Sequence, residues 1–229
     1  MTMFYSSGGT TMAKVEPIRK QEDIQKIEDL LFSMHTPRGD RMFCMFEIGI
    51  YMGLRIGDMI KMRVGDVRGK YEYTFIPEKT DSRRDRVNWR AKKLTVTIAP
   101  EMRNMVNNMY EGEPDEAFLF PSRKHDRNGN PQHISRHTAW KDMKDIKNMI
   151  GLEYSIGCHT LRKTFGYHIY QQRKDVAWLQ NWFQHSSPAV TLIYIGIADD
   201  EKKFVTDHMP YKNRARLDYS ARKKALVNV

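Results

Sequence analysis

For most of its length this chain places apolar residues at the three- and four-residue steps of helices, and it alternates them in two short stretches. After Pro17, the positions Ile24, Ile27, Leu30, Leu31 and Met34 predict a helix, which Thr36-Pro37-Arg38-Gly39-Asp40 is expected to break. From Arg41 to Met52 the chain is apolar on nearly every side (Met42, Phe43, Met45, Phe46, Ile48, Ile50), as a buried helix is, and Gly53 ends it. A short helix is expected over Ile56 to Met62, then a turn at Gly65-Asp66. Alternation at Tyr71, Tyr73 and Phe75, within Lys70 to Ile76, and at Leu94, Val96 and Ile98 predicts two strands. The charged stretch PEKTDSRRDRVNWRAKK between them reads as an exposed hairpin with an irregular insertion. Helices are expected from Pro100 to Tyr110, Ile134 to Ile150, about Thr160 to Gln172, Asp175 to Phe183 and Pro188 to Ile195. Glu111 to Asp115 reads as a loop, Phe118-Leu119-Phe120-Pro121 as a short apolar anchor and SRKHDRNGNPQ as turn-rich. The sum is an α+β fold, mostly helical with a small antiparallel sheet.

With 229 residues and no internal repeat or clear linker, the chain fits one large domain. Residues 1–16 are rich in Gly, Ser and Thr and are expected to form a mobile arm. Residues 17–229 are expected to form the domain, with a tail from Asp199 that turns helical near Phe204 and Val205 and basic from Lys212 to Lys224. No apolar run is long enough to span a bilayer and the N-terminus is not a signal peptide, so no membrane role is expected. Cys44 and Cys158 do not form a disulfide framework, and a reducing cytoplasm is the expected setting.

Charge changes this picture. Lys and Arg number 38 against 28 Asp and Glu, a formal net charge of +10, which favours a polyanionic partner because neutralising phosphates releases counterions. The residues able to act on a phosphodiester cluster from Ile156 to Gly196: a His-x-x-Arg pair (His159, Arg162), His185 in QHSS, and Tyr194. Far upstream, Gly53-Leu54-Arg55-Ile56-Gly57-Asp58 supplies a second arginine. Arginine's planar fork meets two phosphate oxygens and stays charged, histidine trades protons near neutral pH, and a tyrosine hydroxyl is a nucleophile. Taken singly, each has an ordinary explanation: a salt bridge of Arg55 with Asp58, a solvated helix face for His159 and Arg162, a turn for His185, a core position for Tyr194. His125, His133 and His137 lie close in sequence without a cysteine or carboxylate to complete a zinc site, and there is neither a Walker loop nor a dinucleotide glycine motif. No metal and no cofactor is expected.

In their order and spacing these segments resemble the tyrosine recombinases, the phage integrase family. The resemblance runs from about Glu22 to Glu201. It rests on Gly53-Leu54-Arg55 with Asp58, Pro77-Glu78-Lys79-Thr80, Phe118-Leu119-Phe120-Pro121-Ser122, His159-Thr160-Leu161-Arg162-Lys163-Thr164-Phe165, Gln184-His185-Ser186-Ser187 and Thr191-Leu192-Ile193-Tyr194-Ile195-Gly196. It implies that Arg55, Arg162 and His185 hold the scissile phosphate and that His159 assists proton transfer. It also implies that Lys79 protonates the leaving 5′-oxygen and that Tyr194 attacks to give a 3′-phosphotyrosine link, which conserves bond energy without a nucleotide cofactor. Lys92 and Lys93 are alternatives to Lys79, because the hairpin is long. Gln184 stands where the family has glycine. About fifty residues precede Arg55 in this sequence, too few for the helical core-binding domain that integrases carry there.

The function implied is site-specific recombination of duplex DNA in a bacterial host, by a tetramer whose C-terminal segments dock onto neighbours, with a separate DNA-binding protein as a possible accessory. A non-cutting transcriptional regulator on the same fold and a type IB topoisomerase-like enzyme are the alternatives.

Overall fold

The structure is a computed structural model that describes residues 15–78 and 93–208. The chain divides between Gly196 and Ile197 into two compact units. The first unit opens with α1 (Gln21–Ser33), which buries Ile24, Ile27 and Leu31. Next comes α2 (Pro37–Met52). The Thr36–Asp40 stretch, expected as a break, is instead the first turn of α2. The Thr36 hydroxyl accepts from Gly39 N and Pro37 occupies the first turn, where its missing N–H costs nothing.

α2 is the axis of the core. Met42, Cys44, Met45, Phe46, Ile48 and Met52 are fully buried, which explains why its sequence carries no polar stripe. Its start is tied to α5 (Arg136–Ile150), where the buried carboxylate of Asp142 receives Arg38 at 2.8 Å and Arg41 at 2.9 Å. Its end is Gly53, in left-handed conformation at φ 59°, where a side chain would strike the Phe165 ring.

The short α3 (Ile56–Met59) is followed by a 3₁₀ turn, Val64–Asp66. The expected strands form an antiparallel pair, β1 (Glu72–Phe75) with β2 (Leu94–Thr97), registered Glu72 to Thr97 and Phe75 to Leu94, with Tyr73 and Val96 facing inward. Most of the charged insertion between them lies outside the described residues. After α4 (Pro100–Met109), the turn-rich stretch proves to hold a second hairpin, β3 (Pro121–His125) and β4 (Pro131–His133). Asp126 holds its turn by accepting from the backbone of Asn128 and Asn130 and from the Asn130 side chain.

Three helices then build the end of the first unit: α6 (Thr160–Arg173), α7 (Val176–Phe183) and α8 (Pro188–Ile195). Side chains cap two of them, with Asp175 accepting from Trp178 N and Ser187 from Val190 N. Gly166 on α6 lets the helices close: a methyl group there would lie 2.6 Å from Ile195 and 2.7 Å from Phe183. α6 also packs on α2.

The second unit contains α9 (Ile197–Asp207), on which Phe204 and Val205 are exposed. The expected arm falls outside the described residues except for Val15 and Glu16, and the basic stretch Lys212 to Lys224 falls outside them entirely. Among the described residues no helix is long and apolar enough to cross a membrane.

Candidate active site

The sequence-predicted residues meet where the end of α2, the start of α6 and the α7–α8 turn converge. Arg55 is the residue that starts α3, just beyond the left-handed turn at Gly53. Arg162 lies on the first turn of α6, 3% exposed. It donates to Gly53 O at 2.6 Å and to Phe183 O at 3.1 Å, and its guanidinium stacks on the Phe183 ring at 4.3 Å. Arg55 donates to the same Phe183 oxygen at 3.2 Å. Two guanidinium groups from distant parts of the chain therefore share one carbonyl, and their forks offer further N–H groups to an anion beside it. Burial lowers Arg162 to about 10, so it remains a cation at neutral pH.

Tyr194, near the end of α8, places its hydroxyl 3.2 Å from His159 Nδ1. The rings of Phe183 and His185 pack edge-on to it at 5.5 and 5.1 Å. Burial raises the Tyr194 phenol above its ordinary value, against the opposing pull of Arg162 and Arg55. His159 is displaced downward, first by loss of water around its ring, then by the cations Arg162, Lys163 and Arg55. A neutral imidazole thus faces a protonated phenol, which is the pairing of a general base with a nucleophile.

His185 is set by Thr191, whose hydroxyl lies 3.0 Å from Nδ1 and itself donates to Ser187 O at 3.3 Å. Gln184, in the family's glycine position, adopts the left-handed conformation at φ 53° as it ends α7. The backbone therefore keeps the shape a glycine would take, in a residue that adopts it less readily.

Asp58 does not simply pair with Arg55. Its carboxylate accepts the backbone N–H of Glu78 at 2.7 Å, and burial raises its pKa. The Glu78 side chain meets Arg136 and lies 3.7 Å from Lys61. The beginning of the charged insertion is thereby tied to the Arg55 turn. Lys79 and Lys92 themselves lie outside the described residues, while Lys93 is exposed immediately before β2.

Three contributors were not legible in the sequence: the Phe183 carbonyl and ring, the Thr191 hydroxyl, and Lys163, whose ammonium lies 5.4 Å from the centre of the Tyr194 ring. No local pattern marks them, since their roles depend on which helices meet. His133 is engaged by Ile134 O and the Phe118 ring, and the His137 ring packs beside Trp140. Among the described residues no group of three or more His, Cys, Asp or Glu side chains is placed to hold a metal.

Residues 21–201 match the sequence profile of the Phage integrase family. The chain belongs to that family. It is 37% identical over 186 residues to the probable integrase/recombinase YoeC of Bacillus subtilis (strain 168), covering 81% of this chain and 92% of that protein. Its fold is similar to the catalytic domain of bacteriophage HP1 integrase, with a TM-score of 0.53 at 17% identity, over 87% of this chain and 98% of that one. It is also similar to the XerH site-specific recombinase, solved bound to palindromic difH substrate in a post-cleavage complex, with a TM-score of 0.59 at 18% identity. That match spans 86% of this chain and 54% of XerH, so the chain corresponds to about half of that longer protein. Membership makes this chain a tyrosine recombinase, an enzyme class of site-specific DNA recombination.

Proposed function

We propose that this integrase-family domain cleaves and rejoins duplex DNA through Tyr194. The observation that carries the reading is the Tyr194 hydroxyl held 3.2 Å from His159 Nδ1, beside two arginines that converge on one oxygen. In the cleavage step the Tyr194 oxygen forms a bond to phosphorus as the bond from phosphorus to the 5′-oxygen breaks. His159 takes the phenolic proton, and the leaving 5′-oxygen takes a proton from a lysine of the β1–β2 insertion, for which Lys79 is the candidate. Arg55, Arg162 and His185 neutralise charge growing on the non-bridging oxygens. Rejoining runs the same steps backward with a 5′-hydroxyl from another strand, and the phosphotyrosine link conserves the energy for it. Neither metal nor nucleotide enters this scheme.

Duplex DNA fits the net charge of +10 and the complex of the similarly folded Tn1549 transposon integrase with transposon right end DNA. The exposed Phe204 and Val205 of α9 support docking of the C-terminal segment onto a neighbouring copy, and hence a tetramer on DNA. Further DNA-binding surface comes from a preceding domain or a separate protein, since the domain alone matches about half of XerH. The bacterial setting of YoeC supports action in the cytoplasm.

A nicked suicide duplex tests the reading. Denaturing gels should show a covalent protein–DNA adduct with the native chain and none with Tyr194→Phe, while DNA retention is similar in both. Sequence-specific retention without adduct would instead support the regulator, and plasmid relaxation without site preference the topoisomerase.

A further inference from the structure

The segment ahead of α1 is laced along α6. Ile18 is fully buried; its N–H donates to the Thr164 hydroxyl at 2.9 Å, and its carbonyl lies 2.9 Å from His168 Nε2. Two residues earlier, Glu16 N donates to Ser155 O at 3.0 Å. At the head of this strap, Val15 O accepts the Lys163 ammonium at 2.8 Å. Lys163 is itself 7% exposed, and its Nζ stands over the face of the Tyr194 ring, 5.4 Å from the centre. Burying an ammonium is costly, and an aliphatic side chain would fill the same space without that cost. Besides donating to Val15 O, the cation does what an aliphatic group cannot do for the ring: it attracts it more strongly as the phenol becomes phenolate, an interaction greater in the transition state than before it.

We propose that Lys163 is a positioning residue for the nucleophile, and that the strap Val15–Ile18 holds it over the Tyr194 ring, so that the chain leading into the domain helps to set cleavage. The proposal rests on the reading of Tyr194 as nucleophile. The division of labour is geometric. Arg55 and Arg162 stand at the hydroxyl end of Tyr194, whereas Lys163 covers the ring face. Among the described residues, the charged and titratable groups around His159 include Arg162 and Lys163 on α6, Arg55 at the start of α3, Tyr194 on α8, His185 against the Tyr194 ring, and Asp58 beyond the two arginines.

The test uses the full chain on the nicked duplex over a pH series, with Lys163→Met, Lys163→Gln, Lys163→Arg and Ile18→Ala. Gln retains a donor for Val15 O without the charge and stands in if the Met variant fails to melt cooperatively. The uncharged variants should form adduct about tenfold more slowly with unchanged DNA affinity. Their acid limb should move to higher pH, because His159 loses one of the cations that lower it. Lys163→Arg should recover to within about threefold, since it restores the cation. Ile18→Ala should slow adduct formation in the same sense. Wild-type rate and acid limb in the uncharged variants would overturn the proposal, as would an Arg variant as impaired as Met, which is the behaviour of mere packing. An unaffected Ile18→Ala would overturn the role of the strap. If the native chain forms no adduct, the functional reading fails, and NMR titration of His159 separately decides whether Lys163 acts on the His159–Tyr194 pair. An upward shift of His159 in Lys163→Gln supports it, and an unchanged titration overturns it.

Discussion

The hydroxyl of Tyr194 and Nδ1 of His159 are 3.2 Å apart, although 35 residues separate them in sequence. Loss of water around its ring, and then three neighbouring cations, hold His159 below its ordinary value, so the imidazole stays neutral and able to accept the phenolic proton at pH 7. The rate of adduct formation should therefore hold steady through neutrality and fall on the acid side below pH ~6.5, the ordinary histidine value. His159→Gln should lower the rate by about 10²–10⁴-fold and abolish that limb, as a pH series on the nicked duplex would show.

Arg162 is bound to two backbone carbonyls on different segments and stacked on Phe183. Lysine has neither the fork nor the flat face needed for all three contacts. Arg162→Lys should reduce adduct formation by roughly 10²–10³-fold. Its melting temperature should also fall, because Gly53 O and Phe183 O lose donors in a buried place. A variant with native cleavage rate would remove Arg162 from the phosphate site.

Gln184 occupies a left-handed turn that glycine enters without a Cβ penalty. Gln184→Gly should stabilise the fold by about 1 kcal/mol, raising the melting temperature by about 2–4 °C for a chain of this size. Calorimetry would read the shift, and a lower melting temperature would mean that the Gln184 side chain contributes more than the turn costs.

Glu47 lies buried on α2 with Oε1 unpartnered, and burial, aided by Glu28, raises its carboxyl to about 7 from an ordinary 4.5. Between these values the folded chain keeps a proton that the unfolded chain has released. Stability from this group is therefore complete below pH ~4.5 and lost as pH rises through about 7. The difference amounts to roughly 3 kcal/mol at most. Glu47→Gln should leave stability nearly unchanged at pH 5 and increase it at pH 8, as urea melts at the two values would show. Equal effects at both would mean that Glu47 is ionised in the fold throughout.

Much of this architecture was legible in local pattern. The apolar run from Met42 to Met52 announced a helix buried on all sides, and α2 is that helix. The alternation at Tyr73 and Val96 announced an inward strand face, which both residues supply. Thr36-Pro37 was ambiguous because the same residues that end one helix can cap the next. The β3–β4 hairpin was hidden because Asp126, Asn128, Gly129 and Asn130 signal its turn more strongly than its short strands signal themselves.

The site divides in the same way. Residue identity and spacing were enough to nominate Arg55, His159, Arg162, His185 and Tyr194, because helical spacing and side-chain chemistry are local properties. Tertiary packing alone decided that Arg55 and Arg162 share the Phe183 oxygen, that Asp58 tethers Glu78 rather than pairing simply with Arg55, and that Val15 holds a buried lysine over the Tyr194 ring. The physical reason is that such partners lie far apart along the chain, and only close helix contacts, such as the one Gly166 permits, bring them within hydrogen-bond reach.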